Sequence, residues 1–136
     1  MITIDTSALI SILQNEPPAA VCMQAIDRHK RRCISAGTVA EALIVAIRRK
    51  IEPEMTALID GLDLEVIPVT ATNARKVALA YQRWGKGMHP AKLNYGDCFA
   101  YALAQEKQCP LLYVGNDFVQ TDITSALPFP HLREET

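Results

Sequence analysis

Apolar residues along this chain alternate between short continuous runs and longer stretches with helical spacing. Met1 to Ile4, Cys33 to Ser35, Leu64 to Val69 and Leu111 to Val114 are brief and rich in β-branched or aliphatic residues, the pattern of strands. The first helical stretch carries Leu9, Ile10 and Leu13 behind Thr6-Ser7, whose hydroxyls can cap it. A second reopens at Pro17-Pro18 and runs to about Lys30, with Val21, Cys22, Met23 and Ile26 on its apolar side. Gly37-Thr38 starts a third that continues to about Lys50, and Pro53 starts a fourth that Gly61 ends, a pair suited to a helical hairpin. Thr70 or Thr72 caps a fifth bearing Val77, Leu79 and Tyr81 as far as Trp84. Gly85 to Pro90 reads as loop, and Asn94 caps a sixth helix running to about Lys107. Pro110 interrupts the pattern and Gly115-Asn116 signals a turn. From Phe118 onward a short helix or turn is expected near Thr121-Asp122. A proline-rich tail follows, in which Pro128 and Pro130 oppose a long terminal helix.

Strands alternating with helices predict an α/β protein: one domain over residues 1–136, with a central parallel sheet of four to five strands covered by helices on both faces. In such sheets ligands bind beyond the carboxyl ends of the strands. Four acids fall there. Asp5 and Asp117 follow strands, while Glu41 and Asp97 lie in early helical turns, each beside apolar sequence. Taken singly, each has a plain explanation. Asp5 can cap a helix, Thr38-x-x-Glu41 matches a capping box, Asp97 can complement a helix dipole, and Asp117 can stabilise a turn. Those explanations leave unexplained why all four gather at one end of the same sheet. A carboxylate against buried sequence is costly unless it is paired, hydrogen-bonded or bound to a metal, so the set suggests a shared cation.

Composition narrows the class. At 136 residues, with 49% hydrophobic and 21% charged residues, the chain has the balance of a soluble globular domain able to build its own core. No run approaches the roughly 18 consecutive apolar residues of a membrane span, and no basic segment precedes a long apolar one at the N-terminus, so a cytoplasmic protein is expected. Cys22, Cys33, Cys98 and Cys109 form no Cys-x-x-Cys pair and are expected as buried, reduced thiols. His29, His89 and His131 form no His-Glu-x-x-His unit, and neither a Gly-x-Ser-x-Gly elbow nor a phosphate-cradling glycine loop is present. A net charge of −1 argues against strong nonspecific nucleic-acid binding. The cations are nevertheless clustered, as Arg28, Lys30, Arg31 and Arg32, then Arg48, Arg49 and Lys50, with Lys86 and Lys92 further on. Both runs can also simply close helices, where cations favour the negative dipole end.

Clustered carboxylates suit hard cations such as Mg²⁺ and Mn²⁺. One or two such ions can activate an attacking water, neutralise a phosphate and stabilise a leaving oxygen, the needs of phosphodiester cleavage. The ordered set Asp5-Thr6-Ser7-Ala8-Leu9, Glu41 on a helix, Leu93-Asn94-Tyr95-Gly96-Asp97-Cys98-Phe99-Ala100-Tyr101-Ala102-Leu103-Ala104, and Pro110-Leu111-Leu112-Tyr113-Val114-Gly115-Asn116-Asp117-Phe118 closely resembles the PIN-domain ribonucleases. Within that superfamily the chain is similar to VapC-type toxins, over essentially its whole length.

The resemblance implies a Mg²⁺- or Mn²⁺-dependent endoribonuclease of a toxin–antitoxin system that cuts structured RNA such as tRNA. It also implies a homodimer, neutralised by a VapB-type antitoxin whose C-terminal segment crosses the active site. Asp5 and Asp97 match the family's principal metal ligands, Glu41 the third acid and Asp117 a weaker fourth. Thr6, Ser7 and Asn94 would orient carboxylates or metal-bound water. In many PIN domains Thr-x-Asp ends the last strand, but here Tyr113-Val114-Gly115 stands there, so Asp122 or the Asn116 amide is an alternative to Asp117. The implied chemistry is in-line attack of a metal-activated water, leaving a 5′-phosphate and a 3′-hydroxyl. Arg48, Arg49, Lys86 and Lys92 are candidate phosphate contacts, and Trp84 and His89 candidates for stacking on an unpaired base, against the plainer readings of core packing for Trp84 and an ordinary loop residue for His89. Two rivals are a PIN-like scaffold that binds RNA or protein without cutting, and a phospho-receiver domain. The second lacks paired acids after the first strand and a lysine after the last.

Overall fold

A computed structural model describes residues 1–128. The chain forms β1 (Ile2–Ile4), α1 (Thr6–Leu13), α2 (Ala19–Arg28), β2 (Arg32–Ser35), α3 (Ala36–Arg48), α4 (Glu52–Gly61), β3 (Glu65–Ile67), α5 (Ala71–Trp84), α6 (Tyr95–Lys107) and β4 (Leu111–Leu112). The strands make one parallel sheet in the order β3-β2-β1-β4. Expectation and structure agree on the alternation and on four strands.

Strand geometry sends successive side chains to opposite faces, and the core divides accordingly. Ile2, Ile4 and Leu112 join Leu9, Ile26, Ala42 and Met55 in one apolar cluster. Leu111 and Tyr113 join Trp84, Leu93, Phe99, Tyr101 and Phe118 in the other. Thr3 faces neither cluster with carbon alone, since its hydroxyl lies 3.2 Å from both Cys33 Sγ and Cys109 Sγ. Cys22, Cys33 and Cys98 are buried and Cys109 is half-buried, all as free thiols.

Helix α6 is buried without interruption from Asp97 to Ala104. A helix apolar on nearly every side belongs inside a fold, and α6 packs between α3, α5 and the sheet. It therefore presents its first turn at the carboxyl ends of β1 and β4.

Several boundaries differ from expectation for local reasons. Asp5, not Thr6 or Ser7, is the N-cap of α1. Ser35, the last residue of β2, caps α3 by accepting from Gly37 N at 3.1 Å, so that helix starts before Gly37-Thr38. Helix α2 stops at Arg28 rather than Lys30, with Pro18 at its N-cap position. Strand β3 covers only Glu65–Ile67, and β4 only Leu111–Leu112. Beyond β4 the chain doubles back. Leu111 N donates to Thr124 O and Ala126 N to Leu111 O, both at 2.9 Å, so Ser125 bridges Leu111 in parallel. The region of Thr121-Asp122 is a turn. The expected tail from Phe129 onward, Pro130 included, lies outside the described residues. No helix among those described is long and apolar enough to cross a membrane.

Candidate active site

Asp5 ends β1 and is 3% exposed. Its Oδ2 accepts from Ser7 N at 3.0 Å and Ser7 Oγ at 2.6 Å, which caps α1. Its Oδ1 is buried with no hydrogen-bond partner among the described residues. A buried carboxylate oxygen left bare calls for a partner from outside the chain, a water or a cation. Ser7 Oγ also accepts from Val114 N at 3.0 Å, joining the end of β4 to the carboxylate that follows β1. Replacing Ser7 with Ala leaves that N–H and Asp5 Oδ2 short of a partner. The expected cost is ~1–3 kcal/mol of stability, read as a lower Tm. Divalent-cation affinity should also fall about 10- to 100-fold, read by calorimetry.

Asp97 is 6% exposed in the first turn of α6. Asn94 Oδ1 accepts from Asp97 N at 2.9 Å, and Asp97 Oδ2 accepts from Asn94 N at 3.0 Å, a reciprocal capping box. The dipole role weighed for Asp97 is thus realised, and it is compatible with a ligand role because it occupies one oxygen. Asn94 thereby holds one oxygen of this carboxylate.

Glu41 departs from its alternative reading. No capping box with Thr38 forms. Ser35 takes the cap and leaves Glu41 in the second turn of α3, where Oε1 accepts from Thr6 Oγ1 at 2.6 Å. Thr6 therefore orients Glu41, while Ser7 orients Asp5. Asp117 and Asn116 are exposed in the turn after Gly115, whose φ of 100° suits glycine.

Asp5 and Asp97 both feel the charges of Glu41 and Asp117. Burial pushes the Asp5 carboxyl up to about 6; the Ser7 donors oppose the rise and the charges of Glu41 and Asp117 add to it. Burial pushes Asp97 up to about 8, helped by the charge of Asp5, opposed by the Asn94 N–H, and helped further by Asp117 and Glu41. Among the described residues, no three His, Cys, Asp or Glu side chains stand close enough together to hold a metal ion as they are placed. The donors nonetheless fit a hard divalent cation, because they are carboxylate oxygens and the Asp5 Oδ1 atom is buried without a partner. At neutral pH the proton held by Asp97 relieves part of their mutual repulsion, and a cation that binds displaces it.

Other candidates fall elsewhere. Asp122 is engaged with α5 and α6. Its Oδ1 accepts from Tyr101 OH at 2.6 Å, its Oδ2 pairs with Arg83 at 3.4 Å, and Tyr101 OH accepts from Trp84 Nε1 at 2.9 Å. That network consumes Trp84 as core, with Arg83 over its outer ring face at 4.7 Å, so Trp84 is not a stacking platform. His89 sets its ring edge against Trp84 and its Nδ1 accepts from Ala91 N at 2.9 Å, which makes it a loop brace. Arg48 and Arg49 close α3, Arg48 being exposed and seven residues beyond Glu41, about 10 Å along the same helix face. Arg49 donates to Gln14 Oε1. Lys86 and Lys92 are exposed at either end of the loop that Gly85 and Leu93 close by a bridge, just ahead of α6.

Known proteins share the sequence and the fold. The PIN domain family matches residues 2–123. The VapC ribonuclease Mb2780c of Mycobacterium bovis is 41% identical over 128 residues, covering 90% of this chain and 97% of that protein. Ribonuclease VapC of Mycolicibacterium smegmatis is 41% identical over 125 residues, with the same two coverages. Among solved structures, Mycobacterium tuberculosis VapC20, a sarcin-ricin-loop-cleaving toxin, superposes with a TM-score of 0.75 at 16% identity, covering 94% of this chain and 100% of its own. A toxin–antitoxin complex from Klebsiella pneumoniae gives 0.69 at 19% identity, covering 98% and 100%. With the acids converging at the carboxyl ends of a parallel sheet and relatives this close along nearly the whole length, the chain belongs to the PIN-domain family and, within it, to the VapC ribonucleases.

Proposed function

We propose that the chain is the toxin of a type II toxin–antitoxin pair, a Mg²⁺- or Mn²⁺-dependent endoribonuclease acting in the cytoplasm on structured RNA, tRNA foremost. The observation that carries this reading is the buried, unpartnered Asp5 Oδ1 at the end of β1, set among Asp97, Glu41 and Asp117. Asp5 and Asp97 hold the cation, with Glu41 and Asp117 completing its surroundings. One or two bound ions supply water activation and charge neutralisation for hydrolysis to a 5′-phosphate and a 3′-hydroxyl. Ser7, Thr6 and Asn94 fix the carboxylate rotamers before any ligand arrives. Arg48, Lys86 and Lys92 are exposed cations that hold flanking RNA phosphates, and Arg49 lends its charge from the side. No side-chain base is needed.

The partners in this reading are a VapB-type antitoxin and a second copy of the chain. An antitoxin arginine inserted among the acids would pair with their carboxylates in place of the cation. An apolar groove of about 850 Å³ between α3, α5 and α6, lined by Val69, Val77, Tyr95 and Phe99, offers further surface for protein contact. Co-expression with a cognate VapB-type antitoxin should yield a complex that co-purifies; separate elution would remove that partner.

The decisive experiment is cleavage of end-labelled total tRNA by purified protein in Mg²⁺ or Mn²⁺, beside an EDTA control. Discrete fragments with 5′-phosphate ends, absent in EDTA, are expected. Cutting that persists in EDTA, or a protein that neither cuts nor binds Mn²⁺, would overturn the reading and favour the scaffold.

A further inference from the structure

Helices α3 and α6 meet at two reciprocal glycine contacts. A Cβ at Gly37 of α3 would strike the Phe99 ring of α6, lying 2.6 Å from its Cγ and 2.8 Å from its Cε1. A Cβ at Gly96 of α6 would overlap Oε2 and Cδ of Glu41 on α3, and would stand 3.0 Å from Oε1. Each helix thus offers a notch to a side chain of the other. The occupants differ in kind, because Phe99 is packing whereas the Glu41 carboxylate is one of the four gathered acids.

Helix energetics do not account for glycine at position 96. It is the second residue of α6 and has no positive φ, so alanine would favour the helix there. The carboxylate it faces is pinned on its other side by Thr6 Oγ1 at 2.6 Å. Glu41 is therefore held between a hydroxyl and a bare backbone carbon.

We propose that Gly96 is a positioning residue. Its missing side chain is the space that lets the Glu41 carboxylate stand beside Asp97, the next residue in sequence, and so sets the spacing of the acids toward a divalent cation. The inference rests on the divalent-cation reading given above. The atom displaced by a new methyl is the far end of a flexible side chain, so Gly96→Ala turns Glu41 away from Thr6 without opening the core.

Mn²⁺ binding by calorimetry on purified protein tests this, using wild type, Gly96→Ala, Glu41→Asp and the double variant, with Tm in EDTA as the control for folding. Asp at position 41 withdraws the carboxylate by one carbon–carbon bond and clears the methyl. Gly96→Ala should lower Mn²⁺ affinity about 10- to 100-fold with Glu41 present, but less than about threefold in the Glu41→Asp background. Its Tm in EDTA should equal or exceed that of wild type. Equal losses in the two backgrounds, or no loss in either, would overturn the proposal. If Gly96→Ala alone does not fold, Glu41→Asp against the double variant still decides, since a loss above tenfold there contradicts it. A wild-type chain that binds no Mn²⁺ would instead overturn the cation reading itself, and this inference with it.

Discussion

Asp97→Asn should abolish RNA cleavage while leaving the fold in place. The amide keeps the volume of the carboxyl and its oxygen can still accept from Asn94 N, so the capping box that starts α6 survives. What it loses is the negative charge a divalent cation requires. Changes to groups that merely orient metal ligands already cost about 10- to 100-fold, so loss of a ligand should exceed ~100-fold in rate and in Mn²⁺ affinity. The far-UV circular dichroism should match wild type. In EDTA at pH 8 the variant should also melt higher, because it removes a group that burial and the Asp5 charge hold near 8. Residual cleavage at wild-type rates would refute the assignment of this acid.

The second large effect is on stability against pH. Asp5 and Asp97 ionise in the unfolded chain near 3.8, but in the native protein near about 6 and about 8. Between those values the native state holds protons that the unfolded state has lost, so stability must fall as pH rises. The stabilising contribution is fully present below pH 4. That of Asp5 fades up to about 6 and that of Asp97 up to about 8. At about 1.4 kcal/mol per pH unit of displacement, Asp5 alone accounts for roughly 3 kcal/mol. The Tm in EDTA should therefore drop by many degrees from pH 5 to pH 8. Saturating Mg²⁺ should offset the drop, because a cation that binds only the native, ionised site adds stability by mass action. A Tm in EDTA that is flat or rising over this range would show that these carboxyls are not held protonated.

The acids were legible in the sequence because each stands where regular structure begins or ends, and a parallel sheet gathers such junctions at one edge. Asp5 after β1 and Asp97 after Asn94 needed only local pattern. Their capping roles, weighed as rivals to a ligand role, proved to be the means of orienting them. Glu41 is legible on its helix, and the capping box weighed for it with Thr38 does not form, because Ser35 reads as strand until the helix start is seen. The Asp122 environment was not legible at all. Trp84, Tyr101 and Asp122 are separated by 17 and 21 residues, and nothing in local spacing reports that their polar atoms meet. Gly96 carried a faint signal, a glycine in a helical first turn where alanine would serve better.

The doubling back of the chain after β4 bears on how the molecule keeps to itself. A two-residue strand at the border of a sheet exposes amide and carbonyl groups that any passing extended segment could adopt. Here Thr124 and Ala126 answer Leu111 from within the same chain, so the β4 border is hemmed by its own fabric. The opposite border, β3, is three residues long and carries Glu65 paired with Arg31 at 3.2 Å, charge where a foreign strand would have to lie. A sheet so finished on one side and guarded on the other gives edge-to-edge pairing with another chain little to build on.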